Sequence, residues 1–287
     1  MNGLYTPSSL TPTEIAHIEH LIATCNSYEN LRMRLTLDVL GNHPANITHN
    51  FLYFVDNTLV GYLTVYPWGT QKKELTGMVH PNYRRRGIFH SLLSAARNEW
   101  SNKGIQKFLL ISEHTSHSGL AFLNAIGSHH DFSEHEMVLG IFQKRQFFNE
   151  RIHTRKAYIN DFDALTSIIA TDLDNEERAK SFVTRLFQED KRPFYIGILG
   201  EEPIGCLNLD ETEKEIGIYG FVVRPEYRGR GYGRQILQDV ICAIRAKSPK
   251  GIMLDVETDN TNALGLYLSC GFEIRTTYDY YSLNFNE

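Results

Sequence analysis

The sequence predicts an α/β (α+β) protein made of two tandem domains, each with a mixed central β-sheet flanked by helices. Three observations support this prediction. The length of 287 residues suits two domains of ordinary size. Segments with strand and helix patterns alternate along the chain. A segment rich in glycine and arginine near residue 230 has a weaker copy near residue 86, which indicates a duplication.

Composition and charge narrow the class of protein. Hydrophobic residues make up 42% and charged residues 22% of the chain, as in folded globular proteins. The net charge is only -5, so the arginine clusters are local and we expect no nucleic-acid partner. The first residues lack signal-peptide features, and no apolar run reaches membrane-spanning length. We therefore expect a cytoplasmic monomer or homodimer with no membrane partner.

The cysteines and histidines do not indicate a metal site. The cysteines Cys25, Cys206, Cys242 and Cys270 are widely separated and fit no zinc spacing, so reduced and mostly buried thiols are expected. The twelve histidines form no H-E-x-x-H pattern. We predict that the protein uses no metal.

The duplication keeps one register over a long stretch. Five residues of the first copy recur 144 positions later: Pro81, Tyr83, Arg84, Arg86 and Gly87 match Pro225, Tyr227, Arg228, Arg230 and Gly231. The register is unbroken from about residue 51 to residue 127. It predicts an N-terminal domain over 1–145 and a C-terminal domain over 150–287, joined near Phe142–His153.

Both copies predict the same first three elements. Each opens with a helix: Thr13 precedes an apolar face of Ile15, Ile18, Leu21 and Ile22, and Asp161 precedes Phe162, Leu165, Ile168 and Ile169. Two strands joined by a turn follow, at Phe51–Val55 and Leu59–Val65 in the first copy and at Phe194–Leu199 and Pro203–Asn208 in the second.

A third strand enters each arginine turn, and a helix leaves it. In the second copy this helix has an apolar stripe of Ile236, Leu237, Val240, Ile241 and Ile244. A strand at Gly251–Glu257, a helix at Asn262–Cys270 ended by Gly271, and a last strand at Thr276–Leu283 follow.

The turn after Val223 has features of a phosphate-binding turn. Its glycines would let the N–H groups at a helix start approach an anion, and its arginines would add charge-assisted contacts. These residues are Gly229, Gly231 and Gly233 with Arg228, Arg230 and Arg234. A glycine turn alone is weak evidence, because an ordinary strand-to-helix connection has the same composition. It fits neither a Walker loop nor a dinucleotide fingerprint.

Two motifs together resemble the GNAT N-acetyltransferase superfamily. Arg228-x-x-Gly231-x-Gly233 fits its core signature, Arg/Gln-x-x-Gly-x-Gly/Ala, and Leu254–Phe272 is similar to its second signature, an Asn, then Leu-Tyr, then Gly-Phe. The chain thus resembles a tandem member of the superfamily. The resemblance implies transfer of an acetyl group from acetyl-CoA to a primary amine, on a small molecule or a peptide N-terminus, by direct attack in a ternary complex.

The resemblance also implies roles for individual residues. The turn would hold the pyrophosphate of CoA, and the strand before it would hold the pantetheine arm. The implied cofactor-binding residues are Phe221, Val222, Val223, Arg228, Gly229, Arg230, Gly231, Tyr232, Gly233, Arg234 and Asn262. Tyr267 would act as the general acid that protonates the departing thiolate.

Glu215 is the candidate general base. Strand alternation places it on one face with Gly217, Tyr219 and Phe221. Members of the superfamily often have a glutamate at the position that Gly217 fills here, which is a departure from the pattern. Asp255 and Glu257 on the following strand are alternatives. The tyrosines of the last strand either line an acceptor pocket or pack in the core.

The first copy departs from the motifs at the chemical positions. Four replacements stand out: Phe89 for Gly233, Ser118 for Asn262, Leu123 for Tyr267 and Ser128 for Phe272. We therefore predict a catalytic C-terminal domain and a non-catalytic N-terminal domain, whose ability to bind CoA stays open. The alternative function is a CoA-binding sensor or interaction module without catalysis. A covalent route through Cys206 or Cys270 has little support.

Overall fold

The computed structural model describes residues 1–34, 47–67, 69, 71–142, 152–173, 175–188 and 192–284. The chain forms two compact units. The first comprises Met1–Glu134 with Thr276–Glu287, and the second comprises His135–Arg275. The sequence predicts two contiguous domains, 1–145 and 150–287. The two units are not contiguous in this way, because the end of each sequence copy belongs to the unit that the other copy mainly forms. Most of the segment expected to link the copies, residues 143–151, lies outside the described residues.

The described residues of the first unit form three α-helices and a sheet ordered β1-β2-β3-β4-β5-β12. The helices are α1 at Pro12–Glu29, α2 at Ile88–Trp100 and α3 at His117–Ala125. The strands are β1 at Gly3–Tyr5, β2 at Asn50–Val55, β3 at Thr58–Val65, β4 at Lys72–Val79, β5 at Lys107–Glu113 and β12 at Phe272–Asn284. Strand β12 joins this sheet through its residues from Thr276 onward.

In the part of the second unit that the structure describes there are four α-helices and a sheet ordered β6-β11-β10-β9-β8-β7. The helices are α4 at Phe162–Leu173, α5 at Glu176–Phe187, α6 at Tyr232–Arg245 and α7 at Thr261–Ser269. The strands are β6 at His129–Leu139, β7 at Ile152–Lys156, β8 at Phe194–Leu199, β9 at Glu202–Glu211, β10 at Glu215–Val223 and β11 at Gly251–Glu257. Strand β6 enters this unit at His135.

The predicted helices and strands follow one another in the predicted order, with shifts at several boundaries. The prediction that each copy opens with a helix is wrong, because strand β1 precedes α1 and strand β7 precedes α4. Helix α1 begins at Pro12 and not after Thr13, because Thr11 and Glu14 form a capping box in which each side chain bonds the other residue's backbone N–H. Helix α5 was not predicted. Its N-cap is Asn175, whose side-chain oxygen accepts from the N–H of Arg178 at 2.9 Å.

The apolar stripe of α6 forms the centre of the second unit. The five predicted stripe residues are at most 4% exposed, and they pack with apolar residues of β9, β10 and β11. Burying each such side chain contributes about 1.5–3 kcal/mol relative to leaving it in water. This packing fixes the start of α6, and therefore the arginine turn, against the sheet.

The last strand of the chain completes the first unit. Strand β12 pairs antiparallel with β5 from Tyr278↔Glu113 to Asn284↔Lys107. Tyr278 and Leu283 are buried in the two cores of that unit. The Tyr278 hydroxyl donates to the carbonyl of Arg32 at 2.7 Å. Of the two alternatives for the tyrosines of the last strand, an acceptor pocket or the core, Tyr278 therefore takes the second.

Candidate active site

The second arginine turn is shaped by backbone conformations that glycine adopts readily. After β10 ends at Val223, a 3-10 turn at Pro225–Tyr227 leads to Gly229 and Gly231, which have φ of 73° and 83°. A Cβ at either glycine would meet nothing within 4 Å, so the requirement is conformational and not steric. Gly231 is the N-cap of α6 and provides no side-chain cap, which leaves the first N–H groups of the helix for an anion.

The three arginines of this turn have different surroundings. Arg228 donates its Nε–H to the carbonyl of Val223 at 2.7 Å, which connects the turn to the end of β10. Arg230 is exposed. Arg234 donates Nε–H and Nη2–H to the hydroxyl of Ser269, at 3.1 and 2.9 Å, and ties α6 to α7. Arg228 and Arg230 are thus the arginines of the turn that lie in exposed positions.

A cleft opens in the sheet beside the turn. Strands β10 and β11 pair in parallel from Glu215↔Gly251 to Ile218↔Leu254, and beyond Ile218 they continue without pairing to each other. On its other edge β10 changes register with β9 between Tyr219 and Val222. Gly220 within this bulge has φ of 54°. A bulge bends a strand and redirects its backbone groups, here at the opening of the cleft.

The first unit lacks this bulge. Strands β3 and β4 pair without a register shift from Gly61↔Val79 to Val65↔Leu75. Strands β4 and β5 pair in parallel only as far as Leu75↔Leu110, so the sheet opens there in the same way. The two repeats therefore share the cleft and differ in the backbone of the strand that borders it.

Tyr267 is buried beside the cleft of the second unit. It lies on α7 with 8% of its surface exposed, and its ring is 6.5 Å from that of Phe221 and 6.0 Å from that of Phe272. Burial raises the pKa of the Tyr267 hydroxyl to about 12. The hydroxyl therefore keeps its proton at physiological pH, as a proton donor must. Leu123, its counterpart in the first repeat, is a buried core residue.

Asn208 is a polar side chain at the bulge that the motifs did not indicate. It lies on β9, opposite Tyr219 of β10 in the strand register, and is 3% exposed. Its Oδ1 has no hydrogen-bond partner among the described residues and is 2.9 Å from the place a Cβ would take at Gly220. Leaving a buried amide oxygen unpaired costs about 1–3 kcal/mol, so Asn208 is an unusual polar group to find beside the bulge.

Tyr219 explains the glycine at the position where superfamily members often have a glutamate. A Cβ at Gly217 would lie 2.3 Å from the Tyr219 ring, which fills that space. The Tyr219 hydroxyl contacts the sulfur of Met253 at 3.5 Å. A tyrosine side chain thus occupies the region that a glutamate at 217 would occupy.

Glu215 has a structural partner. It begins β10, and its carboxylate binds Arg275 through both oxygens, at 2.5 and 3.0 Å. Arg275 also contacts Glu136 at 2.5 Å, and hydrogen bonding to Glu215 raises the pKa of Arg275 above its usual value. The charge of Glu215 is thus neutralised at the end of β10 remote from the turn. This arrangement is unlike the free carboxylate expected of a general base.

The other predicted residues have simpler surroundings. Asn262 is exposed in the first turn of α7, and the N-cap of that helix is Asn260, which accepts from the N–H of Ala263 at 3.1 Å. Glu257 is exposed, whereas its counterpart Glu113 is buried and accepts from the hydroxyl of Thr276 at 2.8 Å. The structural role of Glu113 therefore does not extend to Glu257.

An aromatic ring and a glycine have exchanged places between the repeats. In the second unit Phe221 on β10 lies over Gly233 on α6, with Cζ 3.6 Å from the place of a Cβ at Gly233. In the first unit Gly77 is on β4 and Phe89 on α2, with the Phe89 Cε2 at 3.1 Å from the place of a Cβ at Gly77. The first repeat thus has its ring on the helix, at Phe89, and the second has its ring on the strand. Because the helix position in the second repeat is Gly233, no side chain projects from that position at the start of α6.

Four features of the second unit together fit an acyltransferase-type fold: a split mixed sheet, a strand bulge, an uncapped helix start with an arginine turn, and a buried tyrosine. The family model described as acetyltransferase (GNAT) matches residues 15–127 and 159–272. The chain belongs to this family, and it contains the family's domain twice.

Solved structures show the same tandem fold. A GCN5-related N-acetyltransferase from Sphaerobacter thermophilus has a TM-score of 0.81 and 18% identity, covering 98% of this chain and 95% of that one. A tandem GNAT protein from the clavulanic acid biosynthesis pathway has a TM-score of 0.72 and 15% identity, covering 98% of both chains. At these identities the likeness establishes the fold.

Curated relatives match over short segments. The N-alpha-acetyltransferase RimI of Mycobacterium tuberculosis is 39% identical over 59 residues, which is 21% of this chain and 35% of that protein. The uncharacterized N-acetyltransferase YfmK of Bacillus subtilis is 32% identical over 78 residues, 27% of this chain and 52% of that protein. This chain thus covers about half or less of the length of these relatives.

Two further findings concern membrane-spanning helices and metal sites. None of the described helices combines the length and the apolar character needed to cross a bilayer. Within the described ranges, no three His, Cys, Asp or Glu side chains are grouped so that they could hold a metal ion.

Proposed function

We propose that the protein is an acetyl-CoA-dependent N-acetyltransferase whose C-terminal repeat acetylates a primary amine of a small molecule or a peptide N-terminus. One observation carries this assignment: the bulge of β10 and the buried Tyr267 occur together in the second repeat. The first repeat has an uninterrupted β4 and Leu123 at the same positions.

The residues of the second repeat fit acetyl-CoA. The uncapped start of α6 and the open backbone at Gly229 and Gly231 suit a pyrophosphate, and Arg228 and Arg230 would add positive charge. The free edge of β10 at Phe221–Val223 offers backbone groups to an extended amide-bearing arm. Bound there, acetyl-CoA supplies an activated acetyl thioester.

Tyr267 would donate the proton that the departing sulfur needs. The same burial that raises the pKa of the Tyr267 hydroxyl to about 12 would also raise the proton affinity of a thiolate formed beside it. A rise in the proton affinity of the thiolate would offset the rise in the pKa of the hydroxyl, so that burial does not by itself prevent the transfer from oxygen to sulfur. A general acid placed in this way contributes about 10²–10⁴ in rate.

Asn208 would hold the incoming amine. Its Oδ1, which is unpartnered among the described residues, is an acceptor at the bulge, and a neutral amine that reached it and donated one N–H would keep its lone pair for attack. We assign no base role to Glu215, because Arg275 binds both of its carboxylate oxygens. The proton that the amine loses would pass to water, with exposed Glu257 as the carboxylate on the neighbouring strand.

A thiol-release screen tests the proposal. The full-length protein would be incubated with acetyl-CoA and panels of small amines, aminoglycosides, polyamines and peptides with free N-termini, and the CoA thiol would be measured. We expect release above the hydrolysis background with one class of amine. If no amine causes release while acetyl-CoA still binds, the protein is a CoA-binding sensor and the enzymatic proposal is wrong.

A further inference from the structure

The last turn of α4 has an exposed carboxylate, that of Asp172. It forms no hydrogen bond or ion pair with another residue that the structure describes. Other carboxylates of this unit are compensated by arginines: Arg275 binds Glu215, and Arg192 binds Asp210 at 2.6 Å. Asp172 therefore presents a negative charge that a cationic ligand could bind.

Helix geometry places Asp172 on the side of α4 that faces the sheet. Helix α4 packs against β9 and β10, and its Ser167 accepts from the Nη2–H of Arg224, directly after β10, at 3.1 Å. Ile168 is buried in one cluster with Val222 of β10. Asp172 follows Ile168 by four residues, so it lies on the same side of the helix, about 6 Å further along its axis.

Two buried groups beside β10 locate the Asp172 carboxylate further. Burial raises the pKa of the Cys206 thiol to about 12, and the charge of Asp172 acts in the same direction. The hydroxyl of Tyr267, whose pKa burial raises to about 12, is also within range of that charge. Cys206 is opposite Val222 in the strand register, and the Tyr267 ring is 6.5 Å from that of Phe221. Asp172 therefore lies near the part of β10 that borders the cleft.

Two uncharged side chains lie at the bulge of β10. The place that a Cβ would take at Gly220 is 2.9 Å from Oδ1 of Asn208 and 3.8 Å from the ring of Phe182 on α5. A ligand at the bulge thus meets an amide and an aromatic ring there, and it meets a negative charge at the end of α4.

The charge of Asp172 suits a nitrogen that does not react. A carboxylate close to the attacking nitrogen would favour its protonated form, so the lone pair would be less available for attack. A second ammonium on the same molecule gains from the carboxylate without that penalty. An amide such as that of Asn208 carries no charge and leaves the reacting nitrogen neutral.

We propose that the acceptor is a small molecule with two amines, of which one is acetylated and the other binds Asp172 as an ammonium. This inference rests on the proposed function and narrows its substrate to diamines and longer polyamines. Asp172 is then a residue that determines specificity: it contributes to binding of the acceptor and not to the transfer of the acetyl group.

The equivalent helix end of the first repeat has a different side chain. The offset of 144 residues relates Leu21 of α1 to Leu165 of α4, both of which are buried, and it relates Tyr28 to Asp172. The guanidinium carbon of Arg84 is 5.3 Å from the centre of the Tyr28 ring. The first repeat thus has a ring beside its arginine turn where the second has a carboxylate. The carboxylate occurs in the repeat that also has the bulge and Tyr267.

A matched pair of amines separates the effect of charge from that of size. Diaminobutane and pentylamine have equal numbers of non-hydrogen atoms and differ by one ammonium group. Steady-state thiol release with each amine would be measured on the full-length wild type, Asp172→Asn, Asp172→Glu and Asp163→Asn. Asp163 is an exposed residue in the first turn of α4 and serves as the control. Calorimetry of each amine on CoA-saturated protein measures binding without turnover.

We expect the KM for diaminobutane to rise about threefold to tenfold in Asp172→Asn, with little change in kcat and none in the KM for pentylamine. Asp172→Glu should recover part of the loss, and Asp163→Asn should behave as the wild type. Added salt should raise the KM for diaminobutane more in the wild type than in Asp172→Asn.

The outcomes distinguish this inference from the proposed function. Thiol release with pentylamine as efficient as with diaminobutane, or an equal loss in Asp163→Asn, would overturn the inference and leave the proposed function intact. Failure of diaminobutane to bind the CoA-saturated protein would also overturn it. If no amine causes thiol release but diaminobutane binds in a manner that depends on Asp172, the ammonium site is supported and the proposed function is wrong.

Discussion

We propose that Tyr267 is the residue on which catalysis in the second repeat depends most directly. Tyr267→Phe keeps the ring between Phe221 and Phe272 and removes only the hydroxyl. We expect the turnover number to fall about 10²–10⁴-fold, while the Kd for acetyl-CoA changes less than threefold. Steady-state kinetics and calorimetry measure the two quantities. Tyr195→Phe, on β8 of the same unit, is the control and should leave turnover unchanged.

The ionisation of Tyr267 also affects stability at high pH. Its pKa is raised from 10.0 to about 12 by burial, so the folded protein retains a proton that the unfolded chain releases. The contribution is present below pH 10 and is lost as the pH rises toward 12, by roughly 2–3 kcal/mol. Urea unfolding at pH 9, 10 and 11 would show a shallower loss of stability in Tyr267→Phe. An identical pH dependence in the variant would contradict this expectation.

We expect substitution of Asn208 to lower activity without lowering stability. Asn208→Leu removes an unpaired buried oxygen, so the free energy of unfolding should stay equal or rise by about 1 kcal/mol, while kcat/KM for the amine should fall about tenfold. Asn50→Leu is the contrast, because Asn50 accepts from the Tyr62 hydroxyl at 2.6 Å in the other unit. That variant should lose about 1–3 kcal/mol. A large loss of stability in Asn208→Leu would mean that the side chain serves the fold.

The residues of the site differ in how far the sequence predicts them. The glycines of the turn and Tyr267 belong to motifs, because their roles follow from local backbone conformation and from spacing along one helix. Asn208 and the partner of Glu215 do not follow from spacing. Asn208 matters because the bulge at Gly220 lies beside it, and Glu215 is neutralised by Arg275, which is 60 residues away in the chain. Such contacts depend on how strands are paired.

At the level of elements, the exchange of Phe and Gly between strand and helix is open to a direct test. Gly233→Phe alone would crowd Phe221, whose Cζ is 3.6 Å from the new Cβ, and should cost about 1–3 kcal/mol. Adding Phe221→Gly, which gives the arrangement of the first repeat, should restore much of that loss. Urea unfolding of both single variants and the double variant gives the coupling energy, expected at about 0.5–3 kcal/mol.

Activity should not return with stability in that double variant. The ring at position 233 would stand at the start of α6, where we propose that the pyrophosphate binds. The reverse exchange in the first unit is not available, since a Cβ at Gly77 would lie 2.3 Å from the carbonyl oxygen of Tyr62. Additive effects of the two substitutions would show that the rings do not compete for one space.

Element boundaries show which part of the fold was open to prediction. The α6 stripe and β11 follow from periodicity, since a helix buried on one face and a short apolar strand leave clear patterns. The sequence analysis did not predict helix α5, although Asn175 caps it. Most residues of this helix are polar, and only Ala179, Val183 and Leu186 are buried. A narrow apolar face on a polar helix gives a weak signal.

At the level of the whole molecule, the two sequence copies exchange their last strands between the units. This arrangement could not be inferred from the repeat, because a repeat determines which elements form and not which copy they join. Leu283 at the end of the second copy is buried in the core of the first unit, and Leu139, its counterpart 144 positions earlier, is buried in the core of the second.

This exchange predicts reciprocal effects of two equivalent substitutions. Leu283→Ala should destabilise the first unit by about 2–5 kcal/mol, because it leaves a cavity in a core that includes residues of β4 and β5. Leu139→Ala should destabilise the second unit by a similar amount, although it lies in the first sequence copy. Hydrogen exchange of backbone amides would therefore accelerate in β4 and β5 for the first variant and in β10 and β11 for the second. If each variant instead loosens the unit formed mainly by its own copy, the strands are not exchanged.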